Sequence, residues 1–458
     1  MTDFENHVVK RWYQDRCLLF IMALVLLLAL FYNRTLLLAH DVDEARHMAY
    51  VKLLFTEHRL PFITSTHPYR EYAGAHAFHP PLYYLILLPF YAVLQGLPEA
   101  IVWHLLRIVS LMFCLASLPL IYQIAQRAVA FEEGTFARRY ACLVVAQIAL
   151  LPMFSMIANM INNDSGMLFF VTLFFWLLIV KYPEDRSMKS ALILGVVWGF
   201  GALTKSTALL CDGVALLLYL ILQDGRLLLS KRSWMRLGLS CSMVALLAGW
   251  WHVRSMMLYG SFMPVPPAMP VPALPSPTNG MLVMILHDNF PAVFAIANWS
   301  LFATLWSQKD WIPEMLRTGI YGALALYCSV AGFGMAFAWF RSTRDHGVEG
   351  KRSPTLCFLP LVITGGAFIV NWIAILQIAL FWHWGWSQGG RYLLPSMCGL
   401  SLALTTGWRA VLGDARLHIL TVVVVVVLLA LNGLDLYWLR VHLNPSFGYW
   451  SGDVMFKS

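Results

Sequence analysis

Charge is what this sequence has least of. Asp, Glu, Lys and Arg make up 12% of the 458 residues, against 59% hydrophobic residues. A soluble globular domain carries roughly 25% charged residues, so half the usual polar coat is missing. A chain this long can bury a large core, but it could not then cover that core's surface. Lipid must be the solvent for most of it. Paired cysteine spacing is also absent. Cys17, Cys114, Cys142, Cys211, Cys241, Cys328, Cys357 and Cys398 each lie in or beside an apolar run, and no two have zinc or redox spacing. They read as small buried apolar residues and say nothing about redox compartment. Neither an internal repeat nor a soluble domain is visible.

The net charge of +8 does not indicate nucleic acid as a partner, because the basic residues fall in short gaps between apolar runs, where they act as topology signals. The first long apolar run lacks a convincing small-residue cleavage site, and acidic and aromatic residues precede it. It is expected to be a retained first helix.

A spanning helix needs about 20 mainly apolar residues. Candidate spans fall at about 17–38, 101–126, 140–158, 165–182, 237–256, 318–340, 356–381, 392–407 and 417–439. The stretch 190–223 is too long for one ordinary span, and Lys189 and Lys231-Arg232 both look cytoplasmic; two short helices turning near Thr204-Lys205-Ser206 fit both facts. The expected fold is therefore an all-α polytopic membrane protein of about 11 transmembrane helices. With the N-terminus inside, the cytoplasmic pieces hold 19 of the 32 Lys and Arg in about a sixth of the chain, as the positive-inside rule requires. The C-terminus then lies outside. Residues 1–458 read as one transmembrane domain with two long outer loops. The first, about 39–100, contains amphipathic stretches such as Ala45 to His58, expected to lie along the interface. The second, about 257–317, opens with a proline-rich run from Pro264 to Pro277 that excludes helix and suits a lid or binding loop.

Polar residues gather at the outer ends of these spans. His40-Asp41-Val42-Asp43-Glu44-Ala45-Arg46-His47 places three carboxylates where the chain leaves the first helix; a plain reading is a solvated turn with Asp43 or Asp41 as N-cap. Arg107 lies near the start of the second span. His79-Pro80-Pro81-Leu82-Tyr83-Tyr84 suits a helix start. Asn162-Asn163-Asp164 fills the turn between the third and fourth spans, and Lys205 sits at the tip of the short hairpin. Arg254 follows Trp250-Trp251, and Gln388-Gly389-Gly390-Arg391-Tyr392 precedes the tenth span. A single cation near a helix end is explained by snorkelling. Several of them on the face that the positive-inside rule should deplete, beside carboxylates, suggest a shared anionic ligand. A lipid phosphate is the most natural one for a site in the membrane plane. A carboxylate can take an acceptor's proton, and cations around a phosphate can stabilise charge on a departing group. That combination describes glycosyl transfer from a lipid-linked sugar phosphate.

The same residues resemble the GT-C superfamily of membrane glycosyltransferases, in particular the branch of protein O-mannosyltransferases and bacterial aminoarabinose-lipid A transferases. The resemblance runs in order through Asp43-Glu44-Ala45-Arg46-His47, His79-Pro80-Pro81-Leu82-Tyr83-Tyr84, Asn163-Asp164, Leu203-Thr204-Lys205, Trp250-Trp251-His252-Val253-Arg254 with Tyr259-Gly260, and Gly390-Arg391-Tyr392-Leu393-Leu394-Pro395. Each motif alone is weak; their order and common placement make the set specific. The resemblance implies a catalytic carboxylate at Asp43, with Asp41 the nearby alternative and Glu44 its neighbour, and direct displacement with inversion from a polyprenyl- or dolichyl-phosphate sugar. It further implies that His79, Lys205, Arg254 and Arg391 hold the donor phosphate, with Arg46, His47, Arg107, Asn163, Asp164 and Tyr392 in support. A lysine stands at the position of His79 in some relatives. Larger members carry an extra soluble domain that binds the acceptor, so the resemblance leaves open whether the acceptor is protein, lipid or glycan.

Some relatives bind a divalent metal, but Glu71, His76 and His79 on one loop do not make a recognisable metal site, and neither metal nor another cofactor is expected. A bacterial inner (plasma) membrane location with the active site on the extracytoplasmic side fits the compact form. Two other classes share the donor chemistry. A transporter or flippase of a lipid-linked saccharide would show repeats and polar groups near the bilayer midplane, where Asp212 is the main candidate. A polysaccharide ligase or polymerase would place its outer-loop residues in a different register. The Asn-X-Ser/Thr matches at Asn33, Asn163 and Asn298 are expected by chance in a chain of this length, and the tryptophans Trp382, Trp384 and Trp386 suit an interfacial belt.

Overall fold

A computed structural model of the chain describes residues 12–38, 43–62, 76–130, 132, 134–223, 230–262, 290–303, 305, 314–344, 355–382 and 389–443. Among these residues there is helix and no strand. The helices are α1 (Arg16–Thr35), α2 (Glu44–Glu57), α3 (Leu82–Leu94), α4 (Glu99–Ala128), α5 (Gly134–Ala149), α6 (Pro152–Ala158), α7 (Asn163–Trp176, continued by a π-helical turn to Lys181), α8 (Met188–Thr204), α9 (Thr207–Gln223), α10 (Lys231–Tyr259), α11 (Phe290–Ala303), α12 (Glu314–Arg344), α13 (Thr355–Trp382), α14 (Met397–Leu412) and α15 (Leu417–Trp438). A 3-10 segment, Gly389–Ser396, leads into α14. Asp41, Glu71, Trp384, Trp386 and the run Pro264 to Pro277 lie outside the described residues.

Among the described residues, six helices are long and apolar enough to cross a bilayer, and the bent pair α5–α6 makes a seventh if it is one broken span. The remaining expected crossings fall on α8, α9, α10 and α14, which are shorter or more polar. The chain is an integral, multi-pass membrane protein. Helix α1 shows how lipid shapes the sequence. Leu18, Ile21, Val25, Leu28 and Tyr32, at helical spacing, face the bundle, while Phe20, Leu27, Leu30 and Phe31 are equally apolar but exposed. Since lipid is as apolar as leucine, burial of these side chains does not by itself drive helix association; close packing does. Glycines supply it at α14. A Cβ at Gly407 would collide with the Ala331 carbonyl of α12, and one at Gly399 with the Thr364 carbonyl of α13.

The run 140–158, expected to be one span, is broken. Leu151 is extended and Pro152 opens α6, and the two helices meet at a bend of 68°. Proline lacks the donor that the next turn needs. The freed Leu150 carbonyl accepts a hydrogen bond from Asn432 Nδ2 of α15 at 2.8 Å, so the break is satisfied inside the bundle, as a bilayer demands. The stretch 257–317, expected to be a long outer loop, is not all loop either, since it contains α11. The expected tenth span begins with the 3-10 segment rather than with regular helix.

Two apolar clusters matter for the site. The large one runs through α1, α4–α9, α11 and α13–α15. In a smaller one, Met48, Tyr50, Val51 and Leu54 of α2 pack on Tyr83, Tyr84 and Leu87 of α3 and on Val102 and Leu106 of α4. This second core docks α2, and with it the acidic turn at its start, onto the ends of the membrane helices.

Candidate active site

Asp43 and Glu44 are adjacent in sequence and point to different places. Glu44 is fully buried. Its two oxygens accept from Arg107 Nη2 and Nε at 2.7 and 2.8 Å, and one also accepts from the Ile161 amide at 2.9 Å. Arg107 uses its remaining donors on the carbonyls of Asn33, Leu36 and Leu37 at the end of α1. This buried node joins α1, α2, α4 and the loop before α7.

Asp43 points the other way. Its backbone is left-handed, with φ 63°, a conformation that Asp and Asn tolerate better than most residues. It occupies the N-cap position of α2 but makes no side-chain cap, which departs from the plain capping reading. Its carboxylate instead accepts from Arg46 Nη1 at 2.8 Å and from Arg391 Nη2 at 3.2 Å, with His76 Nε2 3.9 Å away. Burial pushes this carboxyl up, but Arg391, His76 and Arg46 outweigh burial and hold it below the usual carboxylate range. Asp43 is therefore ionised at neutral pH. The side chain remains 29% exposed while Arg391 beside it is 6% exposed.

The other members arrive from three helix ends. Asn162 caps α7 through the Asp164 amide at 2.7 Å, which sets Asp164 in the first turn, where the helix dipole favours an anion. Tyr83 accepts from the Asn162 amide at 2.9 Å and pairs with Ser110 at 2.7 Å, fixing that cap against α4. Asn163 Nδ2 donates to the Thr204 carbonyl at 3.2 Å, which draws the tip of the α8–α9 hairpin to α7. Lys205 at that tip pairs with Asp164. Arg391 of the 3-10 segment reaches Asp43 and also lies 3.7 Å from Asp164. Tyr392 accepts from Arg391 at 2.7 Å, and its ring lies under the Lys205 ammonium at 4.4 Å and the Arg391 guanidinium at 4.7 Å. The result is an alternating series of Arg46, Asp43, Arg391, Asp164 and Lys205.

Three imidazoles border the series. His76 lies 4.5 Å from His47 and 4.8 Å from His79, centroid to centroid. His47 Nδ1 is 2.8 Å from the Tyr84 hydroxyl, and Tyr50, stacked on Tyr84 at 3.8 Å, donates to the His79 carbonyl at 3.4 Å. Burial, then the other histidines and the nearby Lys205 and Arg391, hold the pKa values of His47 and His79 well below the ordinary imidazole value. Among the described residues, no three His, Cys, Asp or Glu side chains are arranged to hold a metal ion.

The structure thus brings Asp43, Lys205, Arg391, Asp164, Tyr392, Arg46, Asn163, His47 and His79 to one place. It seats Glu44 and Arg107 beneath them, and it leaves Arg254 at the edge. Arg254 Nη2 donates to the Pro61 carbonyl at 2.8 Å and its guanidinium lies 4.9 Å from the Trp251 ring. It makes no ion pair with a described carboxylate, but it is close enough to Tyr50 to pull on its hydroxyl electrostatically. Sequence reasoning missed His76 as a neighbour of Asp43. Its three-residue spacing from His79 was the available signal.

A helical membrane bundle whose helix ends gather one acid among several cations is the arrangement that the resemblance to the GT-C membrane glycosyltransferases implies. Residues 78–251 match the family described as dolichyl-phosphate-mannose-protein mannosyltransferase, which bears out the resemblance drawn from the motifs. No curated protein matches the chain. Among solved structures, ArnT from Cupriavidus metallidurans bound to undecaprenyl phosphate is similar at 15% identity and a TM-score of 0.48, covering 94% of this chain and 73% of that one. An Archaeoglobus fulgidus oligosaccharyltransferase in complex with Zn and sulfate is similar at 12% identity and a TM-score of 0.48, covering 91% of this chain and 52% of the other. The oligosaccharyltransferase AglB of the same organism, with an inhibitory peptide and a dolichol-phosphate, gives 11% identity and a TM-score of 0.44, covering 96% and 56%.

Proposed function

We propose that this chain transfers a sugar, with inversion, from a polyprenyl- or dolichyl-phosphate donor to an acceptor on the extracytoplasmic face of a bacterial inner membrane. The observation that carries this reading is the meeting of Asp43, from the first loop, with Arg391, 348 residues later, beside Lys205 and Asp164. An ionised, partly exposed carboxylate suits a general base. Two cations beside it suit a phosphate whose charge grows as the sugar leaves. The matched family's description names a dolichyl-phosphate sugar, in keeping with that chemistry.

The geometry supports the following roles. Asp43 takes the proton of the acceptor as it attacks the anomeric carbon. Lys205 and Arg391 hold the phosphate, and Asp164 keeps both cations in place until it arrives. Arg254 touches the donor from the edge of the site. His79, neutral before the donor binds, contributes a hydrogen bond rather than charge. Glu44 and Arg107 position the turn and do not react. No cofactor takes part in this scheme.

Asp43→Asn tests the reading. The purified variant, given a polyprenyl-phosphate sugar, should still bind the lipid but lose transfer; full turnover would refute the assignment.

A further inference from the structure

The transfer just proposed leaves a proton to be placed. The acceptor O–H and the donor phosphodiester, with one negative charge, become a glycoside, a lipid phosphate monoester with two, and one proton. The bond between the anomeric carbon and the phosphate oxygen breaks, its electron pair stays on that oxygen, and the acceptor oxygen bonds to the carbon. Asp43 is the first stop for the proton, yet it must be ionised again for the next turnover. Arg46 and Arg391, its two direct partners, are donors only and take no proton.

His76 is different. Its Nε2 lies 3.9 Å from Asp43 Oδ2, a gap that one water or a small rotation of the ring closes, and its ring contacts those of both His47 and His79. Resting on the function proposed above, we infer that His76, with His47 and His79, receives the acceptor's proton from Asp43 and holds it beside the newly formed phosphate dianion. The three imidazoles are then the store that lets the base reset while the product is still bound.

The surroundings fit a store that is empty before the ligand arrives and full afterwards. Lys205 from the α8–α9 hairpin and Arg391 from the 3-10 segment face the cluster as fixed positive charges; Asp43 and Arg46 face it from the first loop and α2, Asp164 from α7, and the neutral Tyr84 hydroxyl from α3. Burial first, and then the neighbouring imidazoles and the two cations, hold the pKa values of His47 and His79 well below the ordinary imidazole value in the unliganded protein. A phosphate dianion seated on Lys205 and Arg391 reverses that field and favours an imidazolium. Imidazole suits the task because small shifts carry it across neutral pH.

Proton uptake on product binding is the test. Farnesyl phosphate, a short lipid phosphate monoester, is titrated into the purified protein at pH 7.5 by calorimetry in two buffers of different ionisation enthalpy. With a second pKa near 6 it is almost wholly a dianion there. Binding should take up about one proton per site. His76→Gln should lose at least half of that uptake while binding stays within about tenfold, and His79→Gln should lose part of it. The methyl ester of farnesyl phosphate, a monoanion, should take up clearly less on the unmodified protein, which keeps the inference testable if a variant fails to fold. Binding of farnesyl phosphate without proton uptake, or uptake unchanged in both variants, would overturn the inference and leave the proposed transfer standing. Absence of binding would overturn both.

Discussion

Asp43 and Glu44 share a peptide bond, and the two ion-pair regions they enter differ in almost every physical respect. Around Glu44, both partners are fully buried and the guanidinium spends its donors on one carboxylate and three carbonyls. Nothing is left over, and nothing could enter without breaking the node. Around Asp43, the carboxylate is partly exposed, its contact with Arg391 is longer, and Arg391 is shared between Asp43 and Asp164 at 3.2 and 3.7 Å. Cations there are held by neighbours that a phosphate can replace. A saturated pair holds structure; an under-saturated, partly open one is where a ligand binds. The difference teaches that counting charges in the acidic motif is not enough, since the motif's function divides between two residues facing opposite ways.

That division can be broken experimentally. The largest effect should come from Asp43→Asn, which keeps the left-handed backbone favourable. Transfer should fall by about 10²–10⁴-fold, the range for loss of a general base, with thermal stability in detergent little changed. Arg107→Met should do the reverse. It strands a buried carboxylate, at a cost of about 3–5 kcal/mol, so the melting temperature should drop sharply. Adding Glu44→Gln should recover part of that loss, because no uncompensated charge then remains in the node. Recovery by the double variant would show that the node is scaffold; a further drop would contradict it.

Lys205→Met should have a smaller and different effect. Losing one charged hydrogen bond of about 1.5–3 kcal/mol should weaken lipid-phosphate binding roughly ten- to hundredfold, read by titration with farnesyl phosphate. The smallest expected effect concerns pH. His47 and His79 stay neutral in the folded protein, whereas in the unfolded chain they protonate near pH 6.5. The unfolded state then binds more protons below that value, so stability should fall as pH drops from 7 to 5. Asp43 acts in the opposite range, contributing stability above its unfolded value and losing it only as pH falls through its lowered folded value. The decline between pH 7 and 5 therefore belongs to the histidines and should flatten in His47→Gln.

Much of this was readable before any coordinates. Apolar run lengths located the six helices long and apolar enough to span among the described residues, and two cytoplasmic-looking basic groups flanking 190–223 called for a hairpin with Lys205 at its tip, where α8 ends at Thr204 and α9 starts at Thr207. The double proline announced the start of α3 at Leu82. What escaped depends on contacts between distant residues. Pro152 was visible, but the unbroken apolar composition of 140–158 hid a bend whose loose carbonyl is satisfied by Asn432, 282 residues away. Glu44 looked as reactive as Asp43 because Arg107, 63 residues on, is not evident as its partner from local pattern. Arg254 looked equivalent to Lys205 and Arg391, since an outer helix end says nothing about which way a long side chain turns. His76 was weighed only as a metal donor; its ring contacts with His47 and His79 exist only once α2 is docked on α3.

The most direct test of the central claim is an experimental structure with a polyprenyl phosphate bound. The account predicts the phosphate within hydrogen-bonding distance of both Lys205 and Arg391, with the Asp43 carboxylate facing the open side of the phosphate. A phosphate bound elsewhere in the bundle, with Asp43 remote from it, would contradict the account.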